Sequence, residues 1–295
     1  MSNESLAMAG KHDVGAAGRM RVGRLWRKCG TGLCFVVYGA VGWLGGLTVL
    51  PLIMLWPGSP AARERRIRGV VSWSFRWLLV LIAVLRVGHV EIEGREWLDQ
   101  VDGRLLVANH PMYLDVVALV GLLPQADCVI KRAMWRNRLY RRFVEATGYI
   151  SNAGNVDLLD DCVASLRRGR PLILFPEGTR STPGEPLHFC RGAAQVAVRS
   201  GCEVLPVVIH CDPLALGKGQ AWHTVSDRPW RLRVRICPPR TLSELGWRED
   251  MPHGVAARRV TQTMQDFFTR QLKDPATAVA DADMPRLAMG AMEDA

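Results

Sequence analysis

The sequence predicts an α/β fold, a mainly parallel sheet flanked by helices, preceded by an N-terminal membrane-associated helical hairpin. Two observations carry the first part. From about residue 89 onward short apolar runs alternate with amphipathic segments, the pattern of a largely parallel sheet with crossover helices. Three of the amphipathic segments also end in glycine, the residue suited to close a helix. The third observation carries the second part. The uncharged stretch from Gly30 to Trp56 would be about 40 Å long as a helix at roughly 1.5 Å per residue, against a bilayer core of roughly 30 Å.

In chain order, residues 1–29 are small and polar, then basic through Arg19, Arg21, Arg24, Arg27 and Lys28. They read as a disordered N-terminal segment. Residues 30–88 hold the membrane-associated helices. The second apolar stretch, "VVSWSFRWLLVLIAVL" (70–85), is shorter and carries Arg76, and Arg63, Arg65, Arg66 and Arg68 lie between the two. Both ends of the first stretch are therefore basic, so charge asymmetry does not orient it. Either the first helix spans and the second lies at the surface, or both dip into one leaflet as a hairpin. The hairpin leaves all the arginines among anionic headgroups and is the arrangement expected here. The length of the run argues against a buried soluble hairpin, and no small-residue cleavage site follows to make it a signal peptide.

Residues 89–272 form the α/β domain. "RLLVA" (104–108), "DCVI" (127–130), "LILF" (172–175) and "VLPVVI" (204–209) read as buried strands. "YLDVVALVGLL", "RNRLYRRFVEATG", "VDLLDDCVASLRRG" and "GAAQVAVRSG" read as helices between them. "RLRVRI" (231–236) alternates Leu232, Val234 and Ile236 with three arginines, as a half-exposed antiparallel edge strand would. An amphipathic helix over about 254–272 closes the domain, and 273–295 read as a disordered tail. There is no internal repeat.

Composition limits the function classes. The chain of 295 residues carries a net charge of +10, with a pI near 9.6, so an acidic partner is expected: nucleic acid, anionic lipid, a phosphorylated substrate or an acidic carrier protein. The eight cysteines are scattered, without C-x-x-C pairs or zinc-ligand spacing, which argues against structural zinc and against a disulfide framework. No zinc-finger, RNA-recognition or phosphate-loop signature supports nucleic acid.

Two stretches carry chemistry. In "ANHPMYLD" (108–115), His110 and Asp115 follow a strand and open a helix. Five residues apart in one helix they would lie about 140° apart around the axis. The spacing works if His110 sits just outside a helix beginning at Pro111, a position that tolerates proline. Asp115 then reaches back to Nδ1, giving a base–orienter pair with no serine or cysteine nucleophile. The alternative for this spacing alone is a structural histidine tied to an aspartate. In "LILFPEGTRS" (172–181) an apolar strand delivers a charged, glycine-containing loop to the sheet edge where ligands bind in open α/β folds. There Gly178 permits close backbone approach, Arg180 offers a fork for an anion, and Glu177 can order Arg180 or a substrate hydroxyl. The plain alternative is a local Glu177–Arg180 ion pair in a turn.

"NHPMYLD" (109–115) resembles the N-H-x-x-x-x-D motif of the glycerolipid acyltransferase family, the 1-acylglycerol-3-phosphate acyltransferases, and "FPEGTRS" (175–181) resembles that family's second signature. "LPVVI" (205–209) and "FCRGAA" (189–194) are similar to its later segments, and the resemblance covers roughly residues 85–240. It implies transfer of a fatty acyl group from an acyl-CoA or acyl-carrier-protein thioester to a hydroxyl, with no metal or bound cofactor. His110 would be the base and Asp115 its partner. Glu177, Gly178, Thr179 and Arg180 would form the acceptor site, backbone N–H groups near Asn109 or in the 176–180 loop would bind the reacting oxyanion, and Lys131, at a strand end, would help with phosphate or carrier. It further implies an inner (cytoplasmic) membrane location with the catalytic domain facing the cytoplasm.

The family commonly has an arginine shortly after G-x-I, and here "GYISNAGN" (148–155) places Ser151 and Asn152 there. Phosphate would lean on Arg180, with Lys131 or Arg191 helping. The acceptor is thus expected to be 1-acylglycerol-3-phosphate or another lyso-lipid, such as an ornithine lipid, a glycolipid or a polyene-lipid anchor. A non-catalytic membrane scaffold is the remote alternative. The basic, aromatic-containing "MWRNRLYRRF" (134–143) fits anionic lipid or an acidic carrier, or a solvated helix face. Trp222 and Trp230 fit structural packing or an acyl tunnel.

Overall fold

The computed structural model describes residues 3–131, 141–152, 157–182 and 184–273, with side chains from residue 21 and excepting that of Lys131. Its centre is a seven-stranded sheet. Five strands run parallel: β2 (Leu105–Ala108), β3 (Asp127–Lys131), β4 (Ile150–Asn152), β5 (Leu172–Leu174) and β6 (Val204–Asp212). With β1 (Gly88–Glu93) and β7 (Trp230–Ile236) the order is β1-β7-β6-β2-β5-β3-β4.

All four residues of β2 are buried, as a central strand covered on both faces requires. Leu106 and Ala108 face one core with Leu205, Val207 and Ile209. Leu105 and Val107 face the other with Val204 and Val208, because successive side chains point to opposite faces. The first core is covered by α3 (Pro60–Val84) and α4 (Asp115–Leu122). The second is covered by α6 (Leu158–Arg167), α7 (Gly192–Ser200) and α8 (His253–Lys273). The short α5 (Arg141–Ala146) precedes β4. Gly148, Gly169 and Gly201, which follow α5, α6 and α7, all have positive φ, so glycine stops these helices as their sequences indicate.

The strand "RLRVRI" pairs antiparallel with β6, yet it is not an edge. β1, which the sequence reading did not pick out, covers its other side in parallel, with Glu91 opposite Arg233 and Glu93 opposite Arg235. The physical reason is charge complementarity: Arg235 Nε donates to Glu93 at 2.8 Å and Arg231 lies 3.2 Å from Glu91. A strand of alternating arginines is covered by one of alternating glutamates. The short β4 was also not anticipated.

The N-terminal part is a helical hairpin of α1 (Asn3–Leu47), α2 (Val49–Leu55) and α3. Residues 21–29 are helical and continuous with the apolar stretch, in contrast to the disordered segment expected. They have partners to hold them: Arg24 pairs with Asp227, and Arg27 donates to the carbonyls of Ser226 (3.0 Å) and Asp227 (2.6 Å). The hairpin turn leads into Ser59, whose Oγ accepts from the Ala62 N–H at 3.2 Å, with Pro60 at the first helical position. α3 therefore starts ten residues before its apolar run and takes in the four arginines. One of them, Arg68, does not reach the headgroups. It is 1% exposed and is held by Asp127, Glu64 and the carbonyls of Thr147 and Gln125. Arg21–Leu55 and Pro60–Val84 are long and apolar enough to cross a membrane by length and composition. α8 matches the helix expected near 254–272, and the tail from 274 lies outside the described residues.

Candidate active site

β2 and β5 are parallel neighbours, with Leu105, Leu106 and Val107 opposite Leu172, Ile173 and Leu174. Their following loops therefore leave the same sheet edge side by side, and the two sequence motifs meet there.

The 109–114 loop comes first. Asn109, 2% exposed, uses both ends of its amide on β6: Nδ2 donates to the Ile209 carbonyl and Oδ1 accepts the Ile209 N–H, both at 2.7 Å. It extends the ladder past the end of β2 and holds the loop. His110 follows, with its side chain 17% exposed and its ring stacked on Phe175 at 4.4 Å. Pro111 lies in the loop, and α4 begins at Asp115 itself, four residues later than anticipated. The reason is local. Asp115 Oδ2 accepts both His110 Nδ1–H and the Met112 N–H, each at 2.9 Å, so the carboxylate closes the turn that a helix from Pro111 would have occupied. The ring's Nε2 is left for a ligand.

Asp115 is fully buried, and its Oδ1 has no partner. Burial therefore pushes its carboxyl up to about 6, opposed by the His110 and Met112 hydrogen bonds. The protonated form is favoured on folding. This residue's contribution to stability is thus fully present below about pH 4 and is lost as pH rises through about 6. Asp115→Asn should flatten that slope, so the stability difference between variant and native protein should shift toward the variant between pH 4 and 6. Denaturant titrations at a series of pH values check it; parallel curves would contradict it. The same titration makes the His110–Asp115 pair lose its carboxylate below about pH 6, with turnover falling there.

The second loop turns at Phe175–Gly178, closed by the Gly178 N–H on the Phe175 carbonyl at 3.0 Å. Gly178 has φ +66°, and a Cβ there would meet open space, so backbone strain rather than crowding selects glycine. Glu177 does not pair with Arg180. Its Oε1 accepts the His110 N–H and the Ser181 hydroxyl, both at 2.9 Å, and the Ser181 N–H returns to the His110 carbonyl at 2.8 Å. Glu177 thus clasps the two motifs together through Oε1 and fixes the histidine backbone. Arg180 Nη1 donates to the carbonyls of Leu216 and Gly217, each at 2.9 Å, and its guanidinium lies over Tyr113 at 5.9 Å. Thr179 is exposed beside it.

Lys131 ends β3 opposite Asn152 of β4, and its side chain lies outside the described residues, as does most of the 134–143 segment. Arg191 is exposed at the start of α7. Among the described residues no cluster of His, Cys, Asp and Glu could hold a metal.

Beside this edge lies an apolar cavity between α1, α3 and the 213–226 loop, lined among others by Cys34, Phe35, Leu78, Leu114, Trp222 and Trp230. Tyr113 and Leu216 line it too, and both also touch Arg180, so cavity and cation share a wall. Trp222 packs edge-on against Phe35 at 6.3 Å. The sequence showed no sign of the 216–217 carbonyls, since a loop that lends only backbone leaves no residue-type signature. Ser181 was in view, directly after the arginine.

Residues 89–210 match the profile of the family described as Acyltransferase. The chain is 34% identical over 113 residues to the 1-acyl-sn-glycerol-3-phosphate acyltransferase of Helicobacter pylori, covering 36% of this chain and 48% of that protein. It is 28% identical over 152 residues to the chloroplastic 1-acyl-sn-glycerol-3-phosphate acyltransferase LPAT1 of Arabidopsis thaliana, covering 50% of this chain and 41% of that one. The matches thus span less than half the length of these relatives. The fold resembles the crystal structure of the 1-acyl-sn-glycerophosphate acyltransferase PlsC from Thermotoga maritima, with TM-score 0.66 and 19% identity, over 86% of this chain and 98% of that one.

Proposed function

We propose that this chain, whose residues 89–210 match the acyltransferase family profile, is a membrane-associated O-acyltransferase that moves a fatty acyl group from a thioester to a lysophospholipid hydroxyl. The observation that carries the reading is the His110–Asp115 pair, clasped through Glu177 and Ser181 to the loop bearing Arg180. The loops that carry the base and the proposed anion ligand are hydrogen-bonded to each other, and an apolar cavity lined by Tyr113, Leu114 and Leu216 lies alongside.

In this reading the acceptor hydroxyl gives its proton to His110 Nε2 as its oxygen attacks the thioester carbonyl. Asp115 holds the tautomer and offsets the imidazolium charge. The tetrahedral adduct collapses by breaking the carbon–sulfur bond, and the imidazolium returns the proton to the thiolate, whose conjugate acid has a pKa of about 8.5 by analogy with cysteine. The thioester is already activated, so no acyl-enzyme is needed. The Thr179 and Arg180 N–H groups, without acceptors among the described residues, are available to the developing oxyanion. Acyl-CoA and acyl carrier protein are both acidic, which suits the net charge of +10.

The acceptor supported first is 1-acylglycerol-3-phosphate, by the relatives' names and by Arg180. Ser151 and Asn152, where an arginine would strengthen phosphate binding, favour a second reading: another lyso-lipid acceptor. The hairpin supports seating in one leaflet of a membrane; the inner membrane, with the domain on the cytoplasmic side, is the location in this reading. Arg68 ties the start of α3 to the domain, while Trp73, Trp77, Val80 and Val84 of the same helix are exposed as one stripe toward lipid. The test is an acyl-transfer assay with the purified chain, a panel of lyso-lipids and both donor types. Transfer to 1-acylglycerol-3-phosphate is expected; transfer only to a phosphate-free acceptor would select the second reading, and none to any acceptor would remove both.

A further inference from the structure

The 213–226 loop brings a second cation to the lip of the cleft. Leu216 and Gly217 give their carbonyls to Arg180 Nη1, and Leu216 O also accepts the Tyr113 N–H at 3.3 Å. The next residue, Lys218, reaches back across the second motif, with its Nζ donating to Thr182 Oγ1 at 3.2 Å. The stretch is held in shape, since the Gly217 N–H donates to Gln220 Oε1 at 3.0 Å. Arg180 and Lys218 thus tie the Thr179–Thr182 stretch and the 216–218 stretch together, each reaching from one to the other.

Neither cation has a carboxylate partner among the described residues. Other arginines do pair with Asp or Glu, among them Arg104, Arg170 and Arg235, while Arg27, Arg66 and Arg167 bond carbonyls alone; what sets Arg180 and Lys218 apart is their place on the loops beside His110. The carboxylate nearest in sequence to Arg180, Glu177, is committed to the His110 N–H and Ser181. Arg180 keeps Nε and Nη2, and Lys218 keeps two ammonium hydrogens. A phosphate monoester, with a charge of about −1.5 to −2 at pH 7 and three acceptor oxygens, matches that donor set.

We propose that Lys218 is the second anion ligand of the acceptor site, binding with Arg180 the phosphate of a lyso-phospholipid whose hydroxyl faces His110. This rests on the acyltransferase reading and deepens it. A cation from the β6–β7 loop compensates for Ser151 and Asn152 on the opposite side of the sheet.

The experiment measures acyl transfer by the purified full-length chain in detergent micelles to two acceptors, 1-acylglycerol-3-phosphate and a monoacylglycerol without phosphate. Lys218→Ala is expected to raise KM for the phosphorylated acceptor about tenfold with kcat changed less than twofold. Its KM for the monoacylglycerol should stay at the native value, and added salt should raise the phosphorylated acceptor's KM less steeply than in the native protein. Lys218→Arg should recover most of the loss. Arg258→Ala, which removes the same charge from an exposed position on α8, controls for net charge. If Lys218→Ala matches the native KM while Arg180→Ala does not, the lysine assignment is overturned and the acyltransferase reading stands. If the native protein does not distinguish the two acceptors, the phosphate site itself is overturned.

Discussion

Replacing His110 with alanine is expected to lower acyl transfer by about a thousandfold, within the range a positioned general base supplies, while leaving the fold intact. In the proposed mechanism the ring's Nε2 receives the acceptor proton, its Nδ1 being held by Asp115. Asp115 is buried behind it and spends Oδ2 on the ring and on Met112; Glu177 spends Oε1 on the His110 N–H and Ser181. The fold should tolerate the change because the anchoring contacts at position 110 are main-chain ones, the N–H to Glu177 and the carbonyl from Ser181, and alanine keeps both. A thermal melt within a few degrees of the native one, combined with unchanged acceptor KM and collapsed kcat, is the expected pattern. Retention of more than a tenth of the native kcat would remove His110 from the chemistry. Asp115→Asn provides a graded comparison: it keeps an acceptor for the Met112 N–H but loses the charge that steadies the imidazolium, so its kcat should fall less than that of the alanine variant.

The sequence made these residues legible to different degrees, for reasons visible in the fold. His110, Asp115 and the 175–181 loop could be found because strand-end chemistry concentrates in short contiguous motifs. Their roles were harder. Asn109 and Glu177 carry polar groups that suit a ligand equally well, and their bonds to Ile209, His110 and Ser181 come from other elements of the fold, which the two motifs by themselves do not indicate. The buried strands β2, β5 and β6 were legible as apolar runs. β1 was not, because "GHVEIE" is half polar and its glutamates make sense only beside the arginines of β7, more than a hundred residues away. The onset of α3 was hidden for the same reason: four arginines look like a loop or a headgroup-facing segment until Arg68 finds Asp127 across a separation of 59 residues.

That last pair sets the second large effect. Arg68→Met is expected to destabilise the protein by about 3–5 kcal/mol, the cost of leaving one member of a buried ion pair behind, out of a total that is about 5–15 kcal/mol for typical domains. Both side chains are 1% exposed. Asp127 lies at the start of β3, where it also accepts from Ser165 of α6, and Arg170 approaches it at 3.7 Å. Those remaining partners place the effect at the lower end of the range. Arg68 in turn loses more than one contact, since its guanidinium binds the carbonyls of Thr147 and Gln125 at 2.8 and 3.0 Å and lies 5.0 Å over the Tyr149 ring. The cluster therefore joins the hairpin, β3, the β4 approach and α6 at one point. Adding Asp127→Asn to Arg68→Met should recover part of the loss, because it removes the stranded charge while keeping an acceptor for Ser165. Denaturant unfolding in detergent distinguishes the cases. A single variant within 1 kcal/mol of native would mean that α3 is held to the sheet by its apolar face alone, and a double variant worse than the single one would mean that the carboxylate is neutralised by Arg170 without help from Arg68.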